Sequence, residues 1–472
     1  MPSSTHRTQL LVLGAGPGGY GAAFLAADRG LDVVLVNEDA APGGVCLHRG
    51  CIPSKALLHL AHVVETARDA EQWGLTFAEP AVDLEKVRAW KDKTVGNLIG
   101  GLSSLCKLRG IDYRQGWATF VDAQTVRVEG PGEGTFAFDN CLIATGSEPV
   151  KLPFMPNESH RVLDSTSALA LKEIPESLLI VGGGYIGLEL GTVYAALGST
   201  VTVVELTDGL LPGCDRDLVR PLQKRVAGLL DSILLNTKVA AVKETRTGLE
   251  VSFEGEGAPA SQSFDRVLVA VGRRPRGNGF GLENTGIALN ERGFIPVNET
   301  RQTVLPHLYA LGDVAGEPML AHKATREGKV AVEAILGEAT VFDPRAIPAV
   351  VFTDPEIAWC GLTETQAKAQ GLTVETAKFP WSASGRALTM GRPDGLTKLV
   401  FEPETHVVLG VGLAGVGAGE LIAEGVLAVE FGATAEDLAM SIHPHPTRSE
   451  TVAETAEGHF GQSTHYRQPD KH

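Results

Sequence analysis

Through the first two thirds of the chain, short apolar runs alternate with longer stretches in which apolar and polar residues mix at helical spacing. Residues 9–13 are the first run; they break into Gly14-Ala15-Gly16-Pro17-Gly18-Gly19, residues 22–27 favour a helix, and 33–36 are apolar again. An uncharged run of this length feeding a glycine turn predicts a parallel strand buried on both faces. Residues 56–73 and 84–109 predict two long helices. In the second, Val95, Leu98, Leu102 and Leu105 recur at spacings of 3, 4 and 3, which predicts a packing stripe on one face. Residues 140–146 predict a short buried strand ending in a tight turn, and the Pro-rich connection at 149–156 predicts a domain boundary.

The first pattern then returns. Residues 178–181 are apolar, Gly182-Gly183-Gly184-Tyr185-Ile186-Gly187 turns into a helix, and 201–204 form the next run. Two more apolar strands are predicted at 267–272 and 309–313, with a helix over 321–336. From Val351 the texture changes to antiparallel-looking strands at 398–401 and 407–413, with amphipathic helices near 420–431 and after Ala435.

Strand, glycine turn, helix and strand in that order describe a dinucleotide fold. Gly14 serves the tight turn, Gly16 lets backbone approach a pyrophosphate, and Gly19 lets helix and strand touch, with the phosphates at the helix N-terminus. An acid is expected about 20 residues on, where it binds a ribose diol. Asn37 stands 23 residues after Gly14 and is followed by Glu38, whereas Glu205 stands 23 residues after Gly182. A carboxylate there repels a 2′-phosphate, so the second fold, with Gly182, Gly184 and Gly187, is expected to take NAD rather than NADP. Asp313, at the end of a strand, is placed for hydroxyls of the first dinucleotide. The expected fold class is α/β: two Rossmann-like FAD/NAD(P)-binding domains plus a C-terminal α+β dimerisation domain. The expected bounds are 1–149 for the first part of the FAD domain, 150–276 for the NAD domain, 277–346 for the second part of the FAD domain and 347–472 for the dimerisation domain.

Length and charge narrow the function classes. At 472 residues the chain exceeds a single core, and its net charge of −16 opposes non-specific nucleic-acid binding, which needs a basic face. The opening MPSSTHRTQL has neither a signal-peptide nor a transit-peptide build, and no apolar run reaches the roughly 20 residues of a membrane span. A cytoplasmic protein without membrane attachment is expected.

The chemistry lies in GGVCLHRGCIPSK, residues 43–55, where Cys46 and Cys51 are separated by four residues. Cys106, Cys141, Cys214 and Cys360 are scattered among apolar neighbours and read as buried small hydrophobes. A zinc site needs two further ligands at matching spacing, and none is present in the sequence pattern, so no metal is expected. A close pair in a reducing compartment then reads as catalytic redox. Far away, His443-Pro444-His445-Pro446 followed by Glu450 reads as a positioned acid–base group with its orienter, or as a surface turn with incidental histidines.

In order along the chain, GAGPGGY, GGVCLHRGCIPSK, ATG (144–146), GGGYIGLELG, LGDV (311–314), LAHKA (320–324) and HPHPTRSE (443–450) make essentially the whole sequence resemble the flavin disulfide oxidoreductases. Within that family the resemblance is to the branch that oxidises protein-bound dihydrolipoamide through FAD with NAD as acceptor. It implies that Cys46 is the interchange thiol, Cys51 the thiolate against the flavin, Lys55 and Glu189 an ion pair beside the flavin, His445 the base and Glu450 its orienting carboxylate. It further implies FAD contacts at Gly44, Lys55, Thr145, Gly146, Asp313 and Ala321, beside Gly14, Gly16, Gly19, Asn37 and Glu38, and an NAD contact at Gly272 beside Glu205. The implied assembly is a homodimer in which His445 completes the partner's site. The implied macromolecular substrate is a lipoyl-bearing acyltransferase or glycine-cleavage carrier protein on a separate chain. Two departures stand out: Asn37 where the family has glutamate, and His48-Arg49 where it has Asn-Val. A related reductase acting on another thiol, and a catalytically silent subunit, are the competing expectations.

Overall fold

The structure, a computed structural model, describes residues 5–467. Residues 1–4 and 468–472, the outer ends of the expected first and last domains and part of the leader reading, lie outside the described residues. β1 (Thr5–Leu13) leads through the glycine turn into α1 (Pro17–Asp28) and β2 (Val33–Asn37). Leu10 to Leu13 are at most 2% exposed, as a strand covered on both faces requires. Next come α2 (Gly44–Arg49), α3 (Cys51–Asp69), α4 (Leu84–Leu108), β3 (Asp112–Gln115), the hairpin β4 (Trp117–Asp122) and β5 (Thr125–Glu129), and β6 (Gly134–Ile143). β3, β2, β1 and β6 pair in parallel in that order, and β5 runs antiparallel along the first half of β6. Leu13 stands opposite both Val36 and Ile143, so three strand ends line up where the glycine turn begins.

After β7 (Ser147–Pro149), β8 (Val162–Leu163) and α5 (Ser165–Leu169), the motif repeats as β9 (Ser177–Val181), α6 (Tyr185–Ala196) and β10 (Thr200–Val204). α7 (Arg216–Leu229), β11 (Ser232–Leu234), the antiparallel β12 (Lys238–Glu244), β13 (Leu249–Glu254) and β14 (Ser261–Phe264), and β15 (Arg266–Val269) complete this unit. Its parallel sheet is ordered β11-β10-β9-β15-β8, and Val181 faces Val204 and Val269 just as Leu13 faces its two neighbours. The chain returns through β16 (Arg273–Pro275), antiparallel to β7. β17 (Leu308–Ala310) then joins β6 in the first sheet, and α8 (Ala321–Ile335) packs on α1.

The last unit is a five-stranded antiparallel sheet. β18 (Ala349–Val351), β19 (Glu356–Gly361), α9 (Glu364–Gln370), β20 (Glu375–Pro380), α10 (Gly385–Thr389), β21 (Leu396–Phe401) and β22 (Val408–Gly415) precede α11 (Ala418–Phe431), α12 (Ala435–Met440) and α13 (Glu450–His459). The sheet order is β18-β19-β22-β21-β20, covered by α11 and α13. Lys398, 1% exposed on β21, reaches Asp215 (2.7 Å) and Asp217 (3.1 Å) at the start of α7 and also contacts Glu364 on α9, bolting this unit to the second nucleotide fold.

Two predicted features need correction. The helix expected from residue 56 begins five residues earlier, at Cys51, because Gly50 breaks the chain after α2 and Pro53 falls in the first helical turn, where its missing N–H costs nothing. It ends in a 3₁₀ turn at Ala70–Trp73. The α4 stripe is not a buried packing face: Val95 is buried, but Leu98 and Leu105 are 45% and 38% exposed. α4 meets α3 and β3 along another line, through Lys91, Val95 and Cys106. Among the described residues no helix is long and apolar enough to cross a membrane.

Candidate active site

The two glycine turns are built alike. Gly14 (φ +101°) and Gly182 (φ +111°) take backbone angles that side chains disfavour, and a Cβ on either would overlap the carbonyl of Ala144 or Ala270. A Cβ on Gly19 or Gly187 would overlap the carbonyl of the same turn's first glycine, whereas Gly16 and Gly184 face open space. The latter two start α1 and α6 without a side-chain cap, leaving helix N–H groups for a phosphate. Asn37 Oδ1 accepts from Ala15 N (3.3 Å), and Glu205 Oε2 accepts from Gly183 N (2.6 Å), so the two strand-end residues grip equivalent backbone positions. Glu205 Oε1 also accepts from Thr207 N (2.8 Å). The amide at 37 thus keeps the loop-holding half of the acid's task and drops its charge.

The first turn opens into a cleft of about 1240 Å³ lined by Gly14, Gly16, Gly19, Asn37, Glu38, Gly44, Cys46, Cys51, Lys55, Thr145, Gly146, Glu189, Asp313 and Ala321. Every site residue expected for FAD therefore reaches one space, and an uncapped helix N-terminus in the same cleft as the Asp313 carboxylate fits a dinucleotide there. The redox loop is seated on the glycine turn: Gly43 N donates to Ala15 O (2.8 Å), and a Cβ on Gly44 (φ +60°) would lie 2.5 Å from Gly16 Cα.

Cys51 is the first residue of α3 and is exposed to the cleft; Cys46, on α2, is half-buried, and both are free thiols. Their environments push them apart. The hydrogen bond from Cys46, with Lys55 and the helix backbone N–H behind it, outweighs burial and brings Cys51 down to about 7. Donating that bond and being buried both push Cys46 up. The surroundings of Cys51 thus favour a thiolate and those of Cys46 a thiol. Lys55 Nζ pairs with Glu189 Oε2 (2.8 Å) and lies 4.5 Å above the centre of the Phe352 ring. Glu189, 3% exposed, is held further by Ser54 Oγ (3.0 Å) and Phe352 N (3.0 Å). Since Glu189 and Tyr185 sit on α6, the second nucleotide fold meets the first at the cysteine pair.

Several contributors escaped the sequence reading. Asp313 Oδ2 accepts from Ser147 Oγ (2.5 Å), which accepts from Arg273 Nε (2.7 Å). Thr145 Oγ1 donates to Arg276 O (2.8 Å), and Arg276 Nη1 pairs with Glu38 (2.8 Å). The signal for these arginines was the Arg273-Arg274-Pro275 run after β15; Ser54 was visible in Pro-Ser-Lys. Gly272 (φ +118°) lies between β15 and β16, just before these arginines. The departures between the cysteines are structural: His48 Nε2 meets Ala41 O (3.1 Å), and Arg49 pairs with Asp39 (2.8 Å). Cys106, Cys141, Cys214 and Cys360 are all buried.

His445 and Glu450 are joined as expected, Nδ1 to Oε1 at 2.7 Å, with Thr447 N donating to the other carboxylate oxygen (2.7 Å). Neither lines the cysteine cleft, and the His445 side chain is 71% exposed. His443 is engaged elsewhere, with Glu424 (2.7 Å) and Ser441 O (2.8 Å).

Comparison with known proteins agrees with this geometry. Residues 8–328 match the family of pyridine nucleotide-disulphide oxidoreductases, and 347–456 match that family's dimerisation domain. A dihydrolipoyl dehydrogenase of Vibrio parahaemolyticus is 49% identical over 98% of both chains. Among solved structures, LpdA from Mycobacterium tuberculosis superposes with a TM-score of 0.88 at 27% identity, over 95% of this chain and 99% of that one. The HOCl-induced flavoprotein disulfide reductase RclA from Escherichia coli gives 0.85 at 29%, over 95% and 99%. The chain belongs to the pyridine nucleotide-disulphide oxidoreductases and, within them, to the dihydrolipoyl dehydrogenases, NAD-dependent flavoproteins that use FAD and NAD to oxidise dihydrolipoamide to lipoamide.

Proposed function

We propose that Cys46 and Cys51 are the redox pair of this reaction and that His445 of the partner subunit, oriented by its own Glu450, is the base. The observation that carries the reading is the unequal placement of the two cysteines: Cys51 begins α3 and opens to the cleft that Lys55 also lines, whereas Cys46 is more buried. In the oxidised state, His445 takes a proton from one substrate thiol, whose sulfur attacks Cys46 and releases Cys51 as thiolate. The second substrate sulfur then displaces Cys46, closing the lipoamide disulfide and leaving the thiol–thiolate pair described above. Glu450, fixed on Nδ1, leaves Nε2 as the proton acceptor and stabilises the imidazolium. FAD supplies the two-electron relay between this dithiol and NAD. Lys55, held by buried Glu189, keeps a positive charge beside the thiolate. Gly182, Gly184, Gly187, Glu205 and Gly272 hold NAD, and Gly14, Gly16, Gly19, Asn37, Glu38, Gly44, Thr145, Gly146, Asp313 and Ala321 hold FAD.

The isolated, exposed His445–Glu450 pair supports a homodimer with composite sites. A lipoyl-bearing acyltransferase or glycine-cleavage carrier protein, as a separate cytoplasmic chain, is the proposed macromolecular partner. Exchanging His445→Gln is expected to lower lipoamide-dependent NADH turnover by about 10²–10⁴-fold. NADH oxidation by an acceptor that bypasses the disulfide should stay near the parent's rate. Unchanged lipoamide turnover contradicts the assignment of the base, and faster turnover with glutathione than with lipoamide contradicts that of the substrate.

A further inference from the structure

The LAHKA segment places a lysine in the first turn of α8, where the positive end of the helix dipole makes a cation unfavourable. Lys323 is nonetheless 5% exposed, and its Nζ contacts Glu327 Oε1 (3.0 Å) and Gly316 O (3.1 Å). Glu327 is fully buried; Arg301 reaches the same Oε1 (2.8 Å), and Gly312 N donates to Oε2 (2.7 Å). Two cations thus share one buried carboxylate, which in turn grips the backbone of the Gly312–Asp313 turn. Gly312, Asp313, Ala321 and Ala324 line the FAD cleft, whereas Lys323, Arg301 and Glu327 stand behind them. A single anion would satisfy one cation, so the second leaves a net positive charge that is shielded from water and screened little by salt.

We propose that the Lys323–Glu327–Arg301 cluster is a positioning and potential-setting device. Through Glu327 it fixes the turn that carries Asp313, and through its excess charge it favours the reduced, anionic flavin and so sets the poise between the dithiol and NAD. This rests on FAD occupying the cleft as argued above. None of the three residues touches the reacting atoms in this account. Their effect on the potential is electrostatic, so the potential follows the net charge of the cluster and not the identity of any one side chain.

The test is the midpoint potential of bound FAD, measured by dye equilibration in purified holoenzyme. Lys323→Met takes the cluster from one net positive charge to none, and the potential is expected to fall, with the flavin–NAD equilibrium shifting about tenfold toward NADH, about 30 mV for a two-electron couple. Glu327→Gln adds a positive charge and is expected to raise the potential. The double variant restores the original net charge and should lie near the parent. Shifts of the same sign in both single variants, or an unmoved potential in Lys323→Met with FAD bound, overturn the proposal. Parent protein purified without flavin would instead overturn the cofactor assignment. Should Glu327→Gln fail to fold, Lys323→Met and Lys323→Gln must fall together while Lys323→Arg holds the parent's value; any other order overturns it.

Discussion

At the scale of single residues, the site rests on asymmetry between like groups. Two cysteines of the same motif differ because one begins a helix beside a lysine and the other gives it a hydrogen bond. The Cys51 thiolate is expected to dominate above pH of about 7 and to be lost as pH falls below it. The ultraviolet thiolate absorbance of the reduced protein, compared with Cys51→Ser across pH, measures this directly. Lys55→Met should move that midpoint upward, because Lys55 favours the thiolate; a midpoint that moves down or stays put rejects the lysine's role. Much of this was legible in advance, since Cys46, Cys51, Lys55 and Glu189 belong to contiguous signatures. Ser147 and Arg273 were not, because they act through a chain of hydrogen bonds 126 residues apart in sequence. No spacing rule reports such a contact.

At the scale of elements, the two glycine turns explain why one chain binds two dinucleotides, and their glycines are not equivalent. Gly19→Ala would drive a methyl into the Gly14 carbonyl, forcing α1 off β1. Overpacking of this kind costs about 1–3 kcal/mol or more, so a lower melting midpoint and loss of flavin are expected together. Gly16→Ala meets nothing within the chain and should fold normally. It should nevertheless retain FAD poorly, because the added methyl enters the space left for phosphate; flavin content after dialysis and circular dichroism separate the two outcomes. Strands and turns were legible because central parallel strands are uniformly apolar and the glycines punctuate them. The α4 stripe was misread because apolar periodicity marks a face and does not say which of its residues the fold buries. Leu98 and Leu105 remain open on the single subunit. The expected helix began only at residue 56, although the first helical turn accepts Pro53 and α3 starts at Cys51.

At the scale of the whole molecule, three units share one buried apolar cluster, which takes Leu57 from the first, Leu188 from the second and Ile357 from the last. Lys398 is buried against Asp215, Asp217 and Glu364 from two other elements. Lys398→Met would strip buried Asp215 of its cation and leave Asp217 and Glu364 to Lys378. Breaking a buried pair in this way costs about 3–5 kcal/mol, so a markedly lower thermal midpoint is expected, with FAD still bound before the transition. An unchanged midpoint would mean that the network contributes no net stability. The larger question is why His445, exposed in the loop before α13, and Glu450, the first residue of that helix, stand paired away from the cysteine cleft. The composite dimer proposed above answers it. That claim is tested most directly by mixing Cys46→Ser with His445→Gln subunits through reversible dissociation, and assaying lipoamide-dependent NADH turnover once hybrid dimers are verified by mass. If the histidine works across the interface, turnover absent from both parent dimers appears in the mixture, because each hybrid holds one intact cysteine pair opposite one intact His445. Verified hybrids without turnover would contradict the composite site.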